Sequence, residues 1–295
     1  MEEFKNLVIN ALTEKLGAGY RVVGNTITKV NDEVLHSICI VKDDEKISKS
    51  IYLENYYEKY PESSIDEIVE NIIAVYRMDD DVMEECLEFI DSIVNYEQLK
   101  DSIYMKLVNK EHNSSYLQDK CYMEYLDFAI LFYVLITQKN GEELSITVTQ
   151  MLKDLWKVSV DELYNQAYTN MAERSPAVIK KVSQVLGEIM ETGDMDTDLS
   201  VLSNKRMVNG AALMLFTDVL KTFADENEVD EVIIIPSTVH ELLLYPKKAG
   251  NEVTEERCLE MLLEVNDTMV QQSDFLSNNI YVYSIDSSDI KIWNK

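Results

Sequence analysis

Apolar and polar positions near the start of the chain predict a helix followed by three strands. The apolar residues of positions 2–16 recur at helical spacing, and Gly17 and Gly19 end the helix. Residues 20–30, 34–41 and 47–53 are rich in strand-forming side chains, and short Asn/Asp turns separate them. This order predicts an antiparallel meander.

Two amphipathic helices are predicted after the meander. Ser64 and Glu67 have the spacing of a capping box, in which each side chain accepts a hydrogen bond from a backbone N–H at the helix start. An apolar stripe over residues 65–76 follows, and a second helix is predicted over residues 80–94. We expect these helices to cover one face of the meander, with their acidic residues facing outward.

The middle of the chain predicts strands at 104–108 and 126–137, followed by helices. A second capping box at Ser159–Glu162 starts a helix that ends near residue 173, and Pro176 starts a short helix reaching residue 190. The last third predicts a strand or helix at 210–216, a helix to 224, strands at 231–235, 239–245 and 280–285, and a helix at 255–268.

These patterns predict an α+β fold: an antiparallel meander with covering helices, followed by a C-terminal α+β unit. The acidic stretch 191–198 is the candidate boundary between an N-terminal region, 1–190, and a C-terminal unit, 199–295. The alternative is one continuous domain, with the same stretch as a surface loop.

The net charge of the chain limits the kinds of molecule that it is expected to bind. The chain has 54 acidic and 27 basic residues, for a formal net charge of −27. Such a surface repels phosphate backbones and anionic lipids, so we expect no direct binding to nucleic acid and none to membranes. The amino terminus lacks the layout of a secretory signal, and the longest apolar run is shorter than the ~20 residues of a membrane span. The expected location is the cytoplasm.

Acidic residues are densest between Glu62 and Glu97, where Arg77 is the single base. A charge run of this kind on helices is typical of a solvated face. The alternative is a polyanion mimic, in which the 62–97 helices occupy a basic nucleic-acid-binding cleft of another protein.

Metal and cofactor binding lack sequence support. The histidines, His36, His112 and His240, have no partner at i,i+3 or i,i+4 spacing. The four cysteines form no C-x-x-C pair, so we expect reduced, apolar cysteines. Phosphate-binding loops and nucleophile-elbow motifs are missing from the sequence. We therefore predict no cofactor and no metal.

Polar residues between two C-terminal strands are the strongest candidates for chemistry. His240 could act as a base and Glu241 could orient it, but neighbours on a strand point to opposite faces, which favours a structural role. The alternative is an enzyme that acts on a small anionic substrate, with catalytic candidates at Arg206, Ser237, His240 and Asn266.

Four tyrosines follow the third predicted strand: Tyr52, Tyr56, Tyr57 and Tyr60. Tyr56 and Tyr60 lie one helical turn apart, which favours packing on the sheet. The alternative is an exposed aromatic patch that binds a partner.

The order of several short motifs resembles a clostridial protein family known as domain of unknown function 5688 (DUF5688). The matching stretches are Ile51–Glu54, Tyr56–Tyr60, Ser159–Ala167, Asn204–Arg206, Gly210–Ala212, Ile235–Glu241, Asn266, Leu276–Ser277 and Tyr281–Tyr283. The resemblance covers nearly the whole chain. It implies a cytoplasmic α+β protein and one continuous family unit, and it brings no activity or cofactor with it.

The leading hypothesis is a non-catalytic soluble protein that binds another protein. A well-formed fold without a recognisable catalytic constellation motivates it. No oligomeric state follows from the sequence.

Overall fold

The computed structural model describes residues 1–43, 48–77, 86–87, 89–90, 92–139, 142–189, 198–248 and 253–293. These residues belong to two compact units, Met1–Asp91 and Ser92–Lys295. Helices and antiparallel sheets occur in both, so the predicted α+β class is confirmed.

The first unit contains the predicted meander. Its elements are α1 (Glu2–Leu16), β1 (Tyr20–Thr28), β2 (Val34–Lys42), β3 (Ser50–Tyr52), α2 (Glu54–Lys59) and α3 (Ile65–Arg77). Strand β2 pairs antiparallel with both β1 and β3. Asn31 and Asp32 both have positive φ, and such short polar side chains tolerate the left-handed conformation of this connection.

Helices α1 and α3 pack against each other, and α1 packs on β1 and β2, with one shared apolar core. Phe4, Val8 and Leu12 of α1 meet Ile38 and Ile40 of β2 in that core. The capping box of α3 is present: Ser64 N–H donates to Glu67 Oε2 at 3.0 Å, and Glu67 N–H donates to Ser64 Oγ at 3.3 Å. Most of the helix predicted at 80–94 lies outside the described residues.

The second unit contains most of the strands. Its strands are β4 (Ile103–Asn109), β5 (Tyr122–Tyr125), β6 (Phe128–Lys139), β7 (Glu142–Thr147), β8 (Ala177–Lys181), β9 (Ser200–Asn204), β10 (Glu231–Thr238), β11 (Glu241–Pro246), β12 (Tyr281–Ser284) and β13 (Asp289–Ile292). Its helices are α4 (Tyr96–Leu99), α5 (Gln150–Trp156), α6 (Val160–Arg174), α7 (Val182–Ile189), α8 (Thr217–Glu226) and α9 (Glu255–Thr268).

These strands form two antiparallel sheets. In the first, β6 pairs with β4 along one edge, while β5 and β7 share its other edge. The second sheet has the order β13-β12-β10-β11-β9-β8. A buried 3-10 segment, Gly210–Leu215, packs against β4 of the first sheet and against β9 and β11 of the second, so it joins the two sheets.

Residues 177–181 were predicted as helix and form strand β8, which corrects that prediction. Their Ala-Val-Ile-Lys-Lys sequence pairs in register with β9 from Ala177–Asn204 to Lys181–Ser200. Pro176 fits the first turn of a helix, but strand pairing and β-branched side chains decide the conformation here. The candidate boundary 191–198 falls between two strands that pair in one sheet, and residues 191–197 lie outside the described part.

Candidate functional site

Arg206 is the centre of a buried polar group that we call the arginine cluster: Arg206, Glu143, Tyr133, Tyr104 and Ser175. Arg206 lies in the turn after β9, and its side chain is 10% exposed. Its Nε donates to Ser175 Oγ at 3.1 Å, and Nη2 donates to the Tyr133 hydroxyl at 3.2 Å. The guanidinium carbon lies 4.3 Å from the centre of the Tyr104 ring, in cation–π contact.

Glu143 of β7 supplies the counter-charge. Its Oε1 lies 2.9 Å from Arg206 Nη1, and its side chain is 5% exposed. Neither carboxylate oxygen accepts a hydrogen bond from the described residues, so the pair is ionic and poorly aligned. Burial raises the pKa of Glu143 above its ordinary value, and the nearby charges of Arg206 and His240 oppose that rise.

His240 lies in the two-residue turn between β10 and β11, and not on a strand as predicted. Its Nδ1 accepts a hydrogen bond from Asn209 N–H at 3.1 Å, which places the proton of the neutral ring on Nε2. Nε2 faces Asp274 Oδ1 at 3.6 Å. The Nδ1 lone pair is therefore taken by the Asn209 backbone, while Nε2 lies beyond hydrogen-bond distance of Asp274.

The turn that carries His240 also fixes the arginine cluster. Ser203 Oγ donates to the His240 carbonyl at 2.7 Å. A Cβ on Gly210 would collide with Ser203 Oγ and with that same carbonyl, which explains the glycine. Three stretches that carry the family resemblance therefore pack together here: Asn204–Arg206, Gly210–Ala212 and Ile235–Glu241.

Ser237 and Asn266 take part in other interactions. Ser237 Oγ donates to Glu241 Oε1 at 3.3 Å, so Glu241 bonds to Ser237. Asn266 Nδ2 donates to the Ser277 carbonyl at 3.1 Å and to Asn278 Oδ1 at 2.9 Å. Among the four candidates, Arg206 contacts Glu143 and the charge of His240 lowers the pKa of that carboxyl, whereas Ser237 and Asn266 bond elsewhere.

A second polar group surrounds Asp127, in the turn between β5 and β6. Its Oδ2 accepts from Ser277 Oγ at 2.9 Å and from Asn279 Nδ2 at 2.8 Å, and its Oδ1 accepts from the Tyr281 hydroxyl at 2.6 Å. Burial raises the pKa of Tyr281, and the Asp127 charge raises it further. Ser277 and Tyr281 are both fully buried, so this group ties the turn to β12.

Two described cavities lie at one end of the second sheet. Their volumes are about 390 and about 640 Å³, and Glu231, Lys247 and Ser284 line both. The ion pair Lys247–Glu231, at 2.5 Å, lies where they meet. None of the four catalytic candidates lines either cavity.

Two of the four tyrosines in the predicted patch pack against the core of the first unit, and none of the four is fully buried. Tyr56 and Tyr60 pack against its core, and the Tyr60 ring lies 5.0 Å from Phe4. Lys29 Nζ lies 5.4 Å from the centre of the Tyr52 ring. Tyr57 is the exposed member, at 42%.

Acidic residues in the described part of the 62–97 stretch face solvent. Glu62, Asp66, Glu67 and Glu70 are exposed near and along α3, and Glu97 is exposed on α4. Asp79, Asp80, Asp81, Glu84, Glu85, Glu88 and Asp91 lie outside the described residues.

An apolar surface on the second unit was not predicted. Met151 and Leu155 of α5 are 80% and 52% exposed, and Val94 is 59% exposed. The Trp156 indole donates to the Ile93 carbonyl at 2.7 Å, which brings Val94 beside α5. We call Val94, Met151 and Leu155 the α5 surface. Its sequence signal is an apolar pair at i,i+4 on a helix that also buries Leu152 and Trp156.

Three further observations bear on the chemistry. In the described chain, no group of three or more His, Cys, Asp or Glu residues is arranged to hold a metal ion. No disulfide joins the cysteines of the described chain. Among the described helices, none combines the length and the apolar character that crossing a bilayer requires.

Comparison with known proteins gives one match. The model of a family of unknown function, DUF5688, matches residues 1–285. No curated protein and no solved structure matches the chain. Because the family match spans all but the last residues, the resemblance seen in the sequence motifs is confirmed, and this chain belongs to the DUF5688 family.

Proposed function

We propose that this protein is non-catalytic and acts in the cytoplasm by binding another protein through the α5 surface. The observation that carries the proposal is the exposure of Met151, Leu155 and Val94 beside one another. Clustered exposed apolar side chains are typical of protein interaction sites, and methionine adapts its shape to a partner.

The enzyme alternative has less support from the geometry. Arg206, which would hold an anionic substrate, already contacts Glu143, Ser175, Tyr133 and Tyr104. His240 Nδ1 already accepts a hydrogen bond from the Asn209 backbone, and Asn266 bonds within a different polar group. That no disulfide joins the described cysteines agrees with a reducing compartment.

Capture from native lysate tests the proposal. The 295-residue chain is immobilised and chemically cross-linked to the proteins that bind it, and these proteins are quantified by mass spectrometry. Met151→Glu/Leu155→Glu places two carboxylates in the α5 surface and is expected to lose a stoichiometric partner that wild type retains.

Met269→Glu/Leu263→Glu is the matched control, because these side chains are 78% and 42% exposed on and beside α9. It adds the same charge elsewhere and should retain the partner. Equal capture by the α5 variant, or no partner for wild type, would contradict the proposal. Circular dichroism checks that every variant is folded.

A further inference from the structure

We infer that His36 is a proton-dependent link between the starts of α1 and α2 in the first unit. Three side chains from distant positions in the sequence meet there: Glu2 of α1, His36 of β2 and Glu54 of α2. This role is independent of the proposed function, which concerns the second unit. We call these three residues the His36 link.

Both ring nitrogens of His36 face carboxylate oxygens. Nδ1 lies 3.2 Å from Glu54 Oε1, and Nε2 lies 3.2 Å from Glu2 Oε1. The backbone N–H of His36 also donates to Glu54 Oε1 at 2.6 Å, which holds Glu54 against β2. The ring is 18% exposed, and each of its nitrogens is therefore within hydrogen-bond distance of an acceptor.

The number of protons on the ring decides how many of these contacts can be hydrogen bonds. A carboxylate oxygen only accepts, so each contact requires an N–H on the ring. A neutral imidazole has one N–H and one lone pair, and it can donate to Glu2 or to Glu54 but not to both. The imidazolium has two N–H groups and can donate to both carboxylates at once. One added proton therefore completes the bridge between α1 and α2.

The other charged groups near Glu2 lie on α1. Lys5 Nζ donates to Glu2 Oε1 at 2.8 Å, the same oxygen that faces His36. The hydrogen bond from Lys5 lowers the pKa of Glu2, and the charges of Lys5, His36 and the Met1 amine lower it further. Glu2 is therefore a carboxylate at neutral pH, and Lys5 stays bonded to it when His36 loses its proton.

On the other side of the ring, Glu54 depends on His36 for its counter-charge. Among the ion pairs of the described residues, Glu54 has no lysine or arginine partner. Its second carboxylate oxygen, Oε2, is buried and accepts no hydrogen bond from the described residues. The β1 residue paired with His36 is Thr26, which is uncharged. Proton loss from the ring therefore leaves this carboxylate without a cation.

The His36 link should weaken as pH rises. Histidine side chains change charge between about pH 5 and pH 8, and the imidazolium is the form that bonds on both sides. Glu2 is exposed, so the bond that is lost is partly screened by water, and we expect it to change a local opening equilibrium about threefold. The start of α1 should therefore open more often at higher pH, while the rest of the fold stays closed.

Amide hydrogen exchange of the 295-residue chain, measured for single residues by NMR, tests this role. Protection of the amides of residues 6–9 is corrected for the intrinsic exchange rate at each pH. We expect it to fall about threefold between about pH 5.5 and about pH 8. The nitrogen chemical shifts of the His36 ring report its proton in the same samples, and the fall in protection should coincide with loss of that proton.

His36→Gln and Glu2→Gln each remove one member of the His36 link and should reduce this change to less than about 1.5-fold. Glu3→Gln is the matched control, because it removes the same charge from the next, exposed position of α1 and should keep the full change. An α-amino group such as that of Met1 also changes charge in this pH range, and His36→Gln retains it.

Three outcomes would overturn the inference. The first is wild-type protection that stays constant while the His36 ring loses its proton. The second is a fall in protection that persists in His36→Gln, because the fall would then belong to the Met1 amine. The third is an equal effect of Glu2→Gln and Glu3→Gln. Because Glu2 is exposed, Glu2→Gln still provides the test if His36→Gln does not fold.

Discussion

At the scale of single residues, Arg206 shows how a chemically attractive side chain serves the fold. Its guanidinium contacts residues from β4, β6, β7 and the end of α6, and it is almost fully buried. Burying a charge is costly unless it is paired, and Glu143 supplies that pair. The arginine cluster thus fixes the turn after β9 against the first sheet.

Replacing Arg206 tests this structural role. Arg206→Met leaves the Glu143 carboxylate buried without its cation, so we expect the free energy of unfolding to fall by about 3–5 kcal/mol. Urea denaturation measures the change. Arg206→Met/Glu143→Leu removes both charges and should recover most of the loss. A single-variant cost below about 1 kcal/mol would mean that Glu143 is solvated once Arg206 is gone.

The sequence identified Arg206 and His240 as polar residues of interest but could not show their partners. Glu143 and Tyr133 lie many positions earlier, on strands whose pairing depends on the folded sheet. His240 was placed on a strand because Val239 and Leu242 extend an apolar run, whereas the hairpin turn falls at Val239 and His240.

At the scale of secondary-structure elements, the sequence predicted correctly those helices whose signals lie within a few neighbouring residues. The bounds predicted for α1 and α9 coincide with those observed, and both predicted capping boxes form. Strands β5, β7, β9 and β13 were missed because four to six residues carry little periodicity, and their conformation depends on a distant partner. The α5 surface was missed because exposure is a property of the folded chain.

The capping box of α6 gives a test at this scale. Ser159 Oγ accepts from Glu162 N–H at 3.1 Å, and Glu162 Oε2 accepts from Ser159 N–H at 2.6 Å. Ser159→Ala removes one of these bonds at the helix start, so we expect a loss of about 1 kcal/mol in urea denaturation at neutral pH. No loss would indicate that water replaces the serine hydroxyl.

The same capping box predicts that the stability of the fold depends on pH. The hydrogen bond from the Ser159 backbone N–H lowers the pKa of Glu162 below its ordinary value of 4.5, and the Ser159 side chain lowers it further. The carboxylate therefore stabilises the fold above about pH 4.5 and loses this effect as pH falls through its lower folded pKa. Glu162→Gln should lower the unfolding midpoint at pH 6, and its difference from wild type should shrink as pH falls below about 4.5. Glu173→Gln, at the exposed far end of α6, should show no such trend.

At the scale of the whole molecule, tyrosines that are partly or fully buried contribute to the response of the fold to alkali. Burial raises the pKa values of Tyr56, Tyr96, Tyr125, Tyr133, Tyr164, Tyr168 and Tyr281, that of Tyr125 to about 12. The folded chain holds these protons above pH 10, where the unfolded chain releases them.

Stability should therefore decline as pH rises from about 10 to about 12. Thermal unfolding over this range, together with the ultraviolet absorbance of tyrosinate, measures the effect. Tyr125→Phe should make the decline shallower, whereas Tyr57→Phe, at an exposed ring, should not. Tyrosinate absorbance that rises fully near pH 10 before unfolding would contradict the prediction.

The largest sheet ends in two short strands, β8 and β13, which carry Lys180, Lys181, Asp289 and Lys291. An unpaired strand edge can template stacking with other chains into fibrils, and short, charged edges hinder that stacking. Concentrated solutions of the folded protein should therefore stay clear and should not raise the fluorescence of an amyloid-binding dye.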